Sequence, residues 1–235
     1  MRKLEELLGI NKHKRLKIWE NSQEFEFKHC RLFMETDAFK SYYASLQSDR
    51  SVIRKSLERY FFRDHPDELM AMCEHARQRQ NLEIGSSCGP VIFGFDPETE
   101  PYIIEPMGQK IIDYQRLHFD GHVFENAKLL SVDAAKPIKD LEAAIDGVIY
   151  VRNCIDHTPK WPFVMANIAR YARPGCRLIF WSEMNHGPTP DIGHYNITDD
   201  VNDFLGFVDA LGFDVERHFS DVPSLPDLGL VATKR

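Results

Sequence analysis

Three of this chain's ten histidines are its acid–base candidates: His157, His186 and His194. His157 directly follows Asp156 and stands four residues past Asn153, in the segment Asn153-Cys-Ile-Asp-His-Thr-Pro159. An unperturbed imidazole titrates near ~6.5, so it can take a hydroxyl proton at neutral pH. Asp156 can orient that ring or bind substrate. The same residues also suit a cap for the helix that follows. His186 and His194 lie on a Gly- and Pro-rich stretch from Met184 to Ile197, and loops carry function out of proportion to their length. With Asp191 these two histidines could hold a metal. One histidine pair at that spacing is poor evidence for an ion, so the expectation is no metal site, with His157, His194 and Asp156 as the catalytic candidates.

A second set of polar residues stands where apolar runs end. The stretch Asn81-Leu-Glu-Ile-Gly-Ser-Ser-Cys-Gly-Pro90 breaks from a short strand into a turn. Glycine there permits positive φ and close approach of a ligand to the backbone. Tyr102–Pro106 and Lys128–Asp133 read as further strands, each ending in an acid, Glu105 and Asp133. Asp146–Asn153 reads as a fourth strand ending in an amide, and Arg177–Glu183 as a fifth. In a parallel sheet these ends converge on one edge, where open α/β sheets bind ligands. Taken singly, Glu105 suits the positive end of a following helix and Asp133 suits a cap. In this order, with the glycine turn before them, a ligand site is the better reading.

The pattern resembles the class I S-adenosylmethionine-dependent methyltransferases over roughly residues 80 to 235. The turn at 83–89 is similar to the family's first motif. Ile104-Glu-Pro-Met107 is similar to its ribose-binding acid, and Ser131-Val-Asp-Ala134 sits where the family reads adenine. Asn153–Pro159 followed by Tyr171-Ala-Arg-Pro-Gly175 resembles the stretch N-x-L-x-H … L-x-P-G-G. Two departures stand out. Serine occupies position 87, where the family carries glycine. Only Pro90 to Pro101 separates the turn from the next strand, so the usual helix there must be short or absent.

The resemblance implies S-adenosyl-L-methionine as cofactor and the following roles. Glu83, Gly85, Ser86 and Gly89 would border its methionine part. Glu105 would accept from the ribose hydroxyls, with Pro106 and Met107 beside it. Asp133 and Ala134 would read the adenine, and Asn153 would stand near the transferred methyl. The implied partner is a small-molecule methyl acceptor, with oxygen suiting a histidine base better than carbon. A nicotinamide oxidoreductase is disfavoured because Gly85-Ser-Ser-Cys-Gly89 lacks the G-x-G-x-x-G spacing. A catalytically inactive methyltransferase-like binding partner stays open.

To position these residues, the sequence predicts an α/β fold: a Rossmann-like, mostly parallel seven-stranded sheet with an antiparallel terminal hairpin, plus a helical N-terminal extension. The division falls at 1–78 for the extension and 79–235 for the cofactor-binding core. Within the extension, Phe25, His29, Leu32 and Phe33 fit one inward helical face and Ile53, Leu57, Tyr60 and Phe61 another. Part of it is expected to fold over the cofactor edge as a lid, with Tyr42, Tyr43 and Arg50 lining the pocket. In the core, helices are expected at Met107–Leu117, Pro137–Ala144 and Trp161–Ala172, the last with Phe163 and Val164 inward, and from a Thr198 cap to Leu211. Strands at Leu211–Val215 and Gly229–Thr233 would form the hairpin.

Composition sets the outer limits. The 235 residues are 43% hydrophobic and 28% charged, as in an ordinary globule. A net charge of −7 argues against a nucleic-acid partner, although residues 1–20 are basic on balance. No apolar run approaches the ~20 residues that span a bilayer, so no membrane partner is expected. Five scattered cysteines without a C-x-x-C pair favour reduced thiols and a cytoplasmic setting. A homodimer is compatible with the chain.

Overall fold

The computed structural model describes residues 12–186, 194–219 and 227–235. Residues 1–11, the first part of the leader, and Asp191 lie outside them. Seven strands form one sheet in the order β3-β2-β1-β4-β5-β7-β6. These are β1 Leu82–Ile84, β2 Tyr102–Ile104, β3 Lys128–Leu130, β4 Val148–Arg152, β5 Arg177–Glu183, β6 Phe213–Phe219 and β7 Asp227–Lys234. The first five run parallel, and β7 pairs antiparallel with both β5 and β6. The expected mixed sheet with a terminal hairpin is therefore present. The strand order reverses between β1 and β4, which is where doubly wound sheets open a crevice at their carboxyl ends.

Residues 12–77 form four helices: α1 Lys12–Met34, α2 Asp37–Gln47, α3 Ser51–Leu57 and α4 Pro66–Arg77. A π-helical turn, Glu58–Phe62, follows α3, and Pro66 opens α4 at its first turn. Their buried side chains share one cluster with Ile103, Val148, Tyr150, Ile179 and Val231 of the sheet. The opposite face of the sheet, carrying Leu82, Ile149, Val151, Leu178 and Phe180, packs on α6 Trp161–Tyr171 and α7 Val201–Ala210. The crossover from β1 to β2 holds only a 3-10 turn, Ile92–Phe95, as its prolines and Gly94 require. The N-terminal helices cover the sheet face that a full crossover helix would otherwise cover, and Leu57 and Cys73 are buried together with Phe93 and Phe95.

Several local expectations need correction. Phe25, Leu32 and Phe33 are exposed; α1 turns Ser22, Cys30 and Met34 inward instead. The inward stripe follows a four-residue spacing and is partly polar, so hydrophobicity alone selects the wrong face. Phe163 is likewise 64% exposed, whereas Val164 is buried. The helix expected at 137–144 is a 3-10 turn, Lys139–Leu141, because Ile138 is extended and Ala143 takes a left-handed φ of 48°. Asp200 caps α7 by accepting from Asn202 N, while Thr198 Oγ1 accepts from Asp200 N. The helix expected at Met107–Leu117 is α5, Gly108–His118.

Candidate active site

The glycine turn leaves β1 with Gly85 at φ 73° and Ser87 at φ 51°. A Cβ on Gly85 would lie 2.2 Å from Cys154 Cβ, so only glycine fits between the ends of β1 and β4. Ser87 holds the left-handed region without that freedom, and its Oγ lies 2.8 Å from Cys30 Sγ on α1. Glu83, in mid-strand, is buried under the turn. Its Oε2 accepts from Val91 N at 2.9 Å and Ile92 N at 2.8 Å. Burial pushes this carboxyl up to about 8, against the pull of those two amides.

Glu105 follows β2 and ties two turns together. Its Oε2 accepts from Ser87 N at 2.7 Å and its Oε1 from Met107 N at 3.0 Å. Burial raises its pKa, opposed by these same N–H groups. A carboxylate offers about four acceptor positions, so two remain for hydroxyl donors. Asp133, after β3, accepts from Ala135 N at 2.9 Å and pairs with Lys160 at 3.0 Å. Asn167 on α6 donates to Ala134 O at 2.9 Å and fixes that loop from behind. Asn81, ahead of β1, donates to Ala76 O and Arg79 O and accepts from Val148 N, which sets β1 against β4.

Beyond β4, Asn153 takes a left-handed φ of 45°, a conformation asparagine tolerates, and the chain enters a 3-10 turn, Ile155–His157. Tyr195 N donates to Asp156 O at 2.7 Å and Ile197 N to Met184 O at 2.8 Å. These bonds bring His194 back against Asp156. The Asp156 side chain is fully buried. Its Oδ2 lies 3.0 Å from His186 Nε2, 3.1 Å from His194 Nδ1 and 3.7 Å from His157 Nε2. Ser182 Oγ donates to Asp156 Oδ1 at 3.1 Å. His157 Nδ1 faces Glu26 Oε1 of α1 at 3.4 Å. Burial alone would lower the His157 pKa, but Glu26 and Asp156 outweigh it and raise it. Asp156 is held low: the His194 hydrogen bond and the surrounding histidine charges overcome its burial.

Two adjoining cavities connect these parts. The larger, about 580 Å³, is bordered by Gly85, Ser86, Gly89, Asn153, His157 and His194, with Phe25, Glu26 and His29 of α1 opposite. That volume lies within the roughly 300–1,000 Å³ usual for small-molecule sites. The smaller, about 60 Å³, is bordered by Gly85, Pro106, Asp133, Ala134 and His157. Gly85 and His157 line both. Glu105 and Met107 line neither and sit buried at the turn behind them. Tyr42, Tyr43 and Arg50 do not line either cavity. Tyr42 donates to Pro90 O, Tyr43 to Asp120 O, and Arg50 lies over Phe93. The wall expected from them comes from α1.

Sequence reading missed Glu26, Glu183 and Ser182 as neighbours of the histidines. Glu26 sits one helical turn from both Ser22 and Cys30 on the inward stripe of α1, a spacing that becomes visible only once the polar face is known to be the buried one. Ser182 and Glu183 end a strand that is mostly buried, so Ser182 reads as a core position and Glu183 as its half-buried end.

No family model matches this sequence, and no curated protein matches it. Solved structures do. An S-adenosylmethionine-dependent methyltransferase from Mesorhizobium loti superposes with a TM-score of 0.53 at 11% identity, covering 72% of this chain and 96% of that one. A chain from the Haloferax volcanii complex of the Trm112 methyltransferase activator gives 0.54 at 10% identity, over 82% of this chain and 96% of that one. The cyclase SpnF gives 0.51 at 13% identity, over 72% and 80%. Among the described residues no helix is long and apolar enough to cross a membrane. At these identities the likeness concerns architecture, and with the strand order above it places the chain in the class I S-adenosylmethionine-dependent methyltransferase fold.

Proposed function

We propose that this protein is an S-adenosylmethionine-dependent methyltransferase acting on a small-molecule acceptor through an oxygen. The observation carrying the reading is the meeting, around two adjoining cavities, of the glycine turn, the Asp133–Ala134 loop and the Asp156–His157–His194 cluster. Gly85, with no room for a Cβ, and Glu105, with acceptor positions to spare, fit an aminoacyl nucleoside laid across the carboxyl ends of β1, β2 and β3. When bound, S-adenosylmethionine supplies an electrophilic sulfonium methyl.

The protein's own residues have separable tasks. Glu105 holds ribose hydroxyls, and Asp133 and Ala134 bind the adenine edge. Glu83 keeps the Val91–Ile92 segment in place beneath the turn and so fixes Ser86 and Gly89 above it. Asn153, which lines the larger cavity, would stand near the transferred methyl. His157, which borders both cavities, is the candidate base for the acceptor hydroxyl. Asp156 and His194 steady its ring, the latter with ring centroids 4.4 Å apart. Within the extension up to residue 78, α1 acts as a cover over the larger cavity, and 79–235 form the cofactor-binding core.

Calorimetric titration tests this reading. Saturable binding of S-adenosylmethionine and S-adenosylhomocysteine, but not NADH, is expected, with loss in Glu105→Ala and Asp133→Ala. No binding of either sulfur nucleoside to folded protein would discard the cofactor assignment. It would leave a methyltransferase-like binding partner, a reading favoured by the left-handed Ser87 in the turn.

A further inference from the structure

His186 lies between two carboxylates. Its Nδ1 is 3.2 Å from Glu183 Oε2 and its Nε2 is 3.0 Å from Asp156 Oδ2. A neutral imidazole has one N–H and can satisfy only one of them. Asp156 Oδ2 in turn also faces His194 Nδ1 at 3.1 Å, and the two ring nitrogens face each other at 3.4 Å. Three potential donor atoms, one oxygen and two nitrogens, therefore form a triangle with edges of 3.0 to 3.4 Å. Ligands held at about 2.0–2.1 Å by a tetrahedral divalent metal stand about 3.3 Å from one another. In a purely hydrogen-bonded cluster, two N–H groups would converge on one oxygen.

The surroundings match those of a metal centre. A ligating histidine usually donates its other N–H to a carboxylate, which fixes the tautomer; Glu183 stands in that position for His186. A ligating carboxylate is usually hydrogen-bonded at its second oxygen; Ser182 Oγ does this for Asp156 at 3.1 Å. Asp156 is fully buried, so its charge has no water to compensate it. His194 lines the larger cavity, which leaves room for a further ligand on that side.

We infer that Asp156, His186 and His194 form a binding site for a divalent first-row transition metal at the wall of the larger cavity. Two imidazoles and one carboxylate suit zinc with an open position, and also iron(II) or manganese(II). This revises the sequence-based expectation of no metal. The site stands on the cluster's geometry alone. Its use, to hold the acceptor oxygen beside His157 and favour its deprotonation, rests on the methyl-transfer reading.

The test is titration of chelator-treated full-length protein with Co²⁺, followed by visible absorption, with Zn²⁺ as competitor. One equivalent of Co²⁺ should produce intense d–d bands of low coordination number, and one equivalent of Zn²⁺ should remove them. His186→Gln and His194→Gln should abolish the spectrum. Glu183→Gln should weaken binding about 10–100-fold, and His29→Gln, which also lines the cavity, should not alter it. X-ray absorption on the wild-type Co²⁺ protein should show nitrogen and oxygen ligands with imidazole scattering. Absence of saturable binding, sulfur ligation, or a spectrum that survives both histidine substitutions would overturn the inference. S-adenosylmethionine binding by calorimetry on the same samples separates the two readings. Nucleoside binding without a cobalt site defeats the metal alone; a cobalt site without nucleoside binding supports the metal and defeats the methyl-transfer reading.

Discussion

Glu83 shows how one residue can be structural and chemical at once. Its carboxyl is fully buried, yet both backbone amides that pin the Val91–Ile92 turn end on it. With a folded pKa pushed up to about 8 from an ordinary carboxyl value, the native state keeps a proton that the unfolded state has lost. The native state then binds more protons, so this group makes stability fall as pH rises from the ordinary carboxyl range to about 8. The slope is at most ~1.4 kcal/mol per pH unit. Glu83→Gln should remove that component, leaving a flatter profile of urea midpoints between pH 5 and 8. Parallel profiles for the two proteins would mean that Glu83 is ionised throughout. The residue was legible in the sequence as an acid inside an apolar strand, but its partners eight and nine residues on were not.

At the scale of elements, the glycine turn is the joint between β1 and β4. Two glycines separate backbone strain from crowding. Gly85 at φ 73° has Cys154 against it, whereas Gly175 at φ 84° has nothing within 4 Å of a built Cβ. Gly175→Ala should cost about 1–2 kcal/mol, the penalty for a left-handed alanine. Gly85→Ala should cost a further ~1–3 kcal/mol for overpacking against Cys154. Equal losses in chemical denaturation would show that the β4 loop yields freely and that the turn is not a rigid joint. The sequence marked this turn by its glycines, because conformational freedom at short range is written into residue type. It did not mark the inward face of α1, where half-buried Glu26 stands between buried Ser22 and Cys30 while Leu32 is exposed.

Across the whole molecule, the N-terminal helices and the sheet share one apolar layer. Met34, Phe39, Leu57, Phe61 and Met72 are buried with Ile103, Tyr150 and Val231. The absence of a crossover helix after β1 makes that cover necessary. Deleting residues 1–78 should therefore leave a polypeptide without a cooperative thermal transition, whereas the full chain should show one. A truncated protein that melts cooperatively and gives a dispersed NMR spectrum would mean that 79–235 closes its own core.

The sequence by itself determined the strand succession, the turn and the acids at strand ends. These depend on local rules: alternating or continuous apolar runs, glycine freedom and the polarity of residues where strands stop. It also marked Asp156, His157 and His194 as chemical candidates by type. Only the tertiary structure decided that His186 and His194 converge on Asp156, that Glu26 reaches His157 from the opposite side of the cavity, and that α1 rather than α2 walls it. Such meetings join residues dozens to more than a hundred positions apart. They are fixed by the register of parallel strands and by which helix face a neighbouring layer accepts, and neither quantity is carried by any short stretch of sequence.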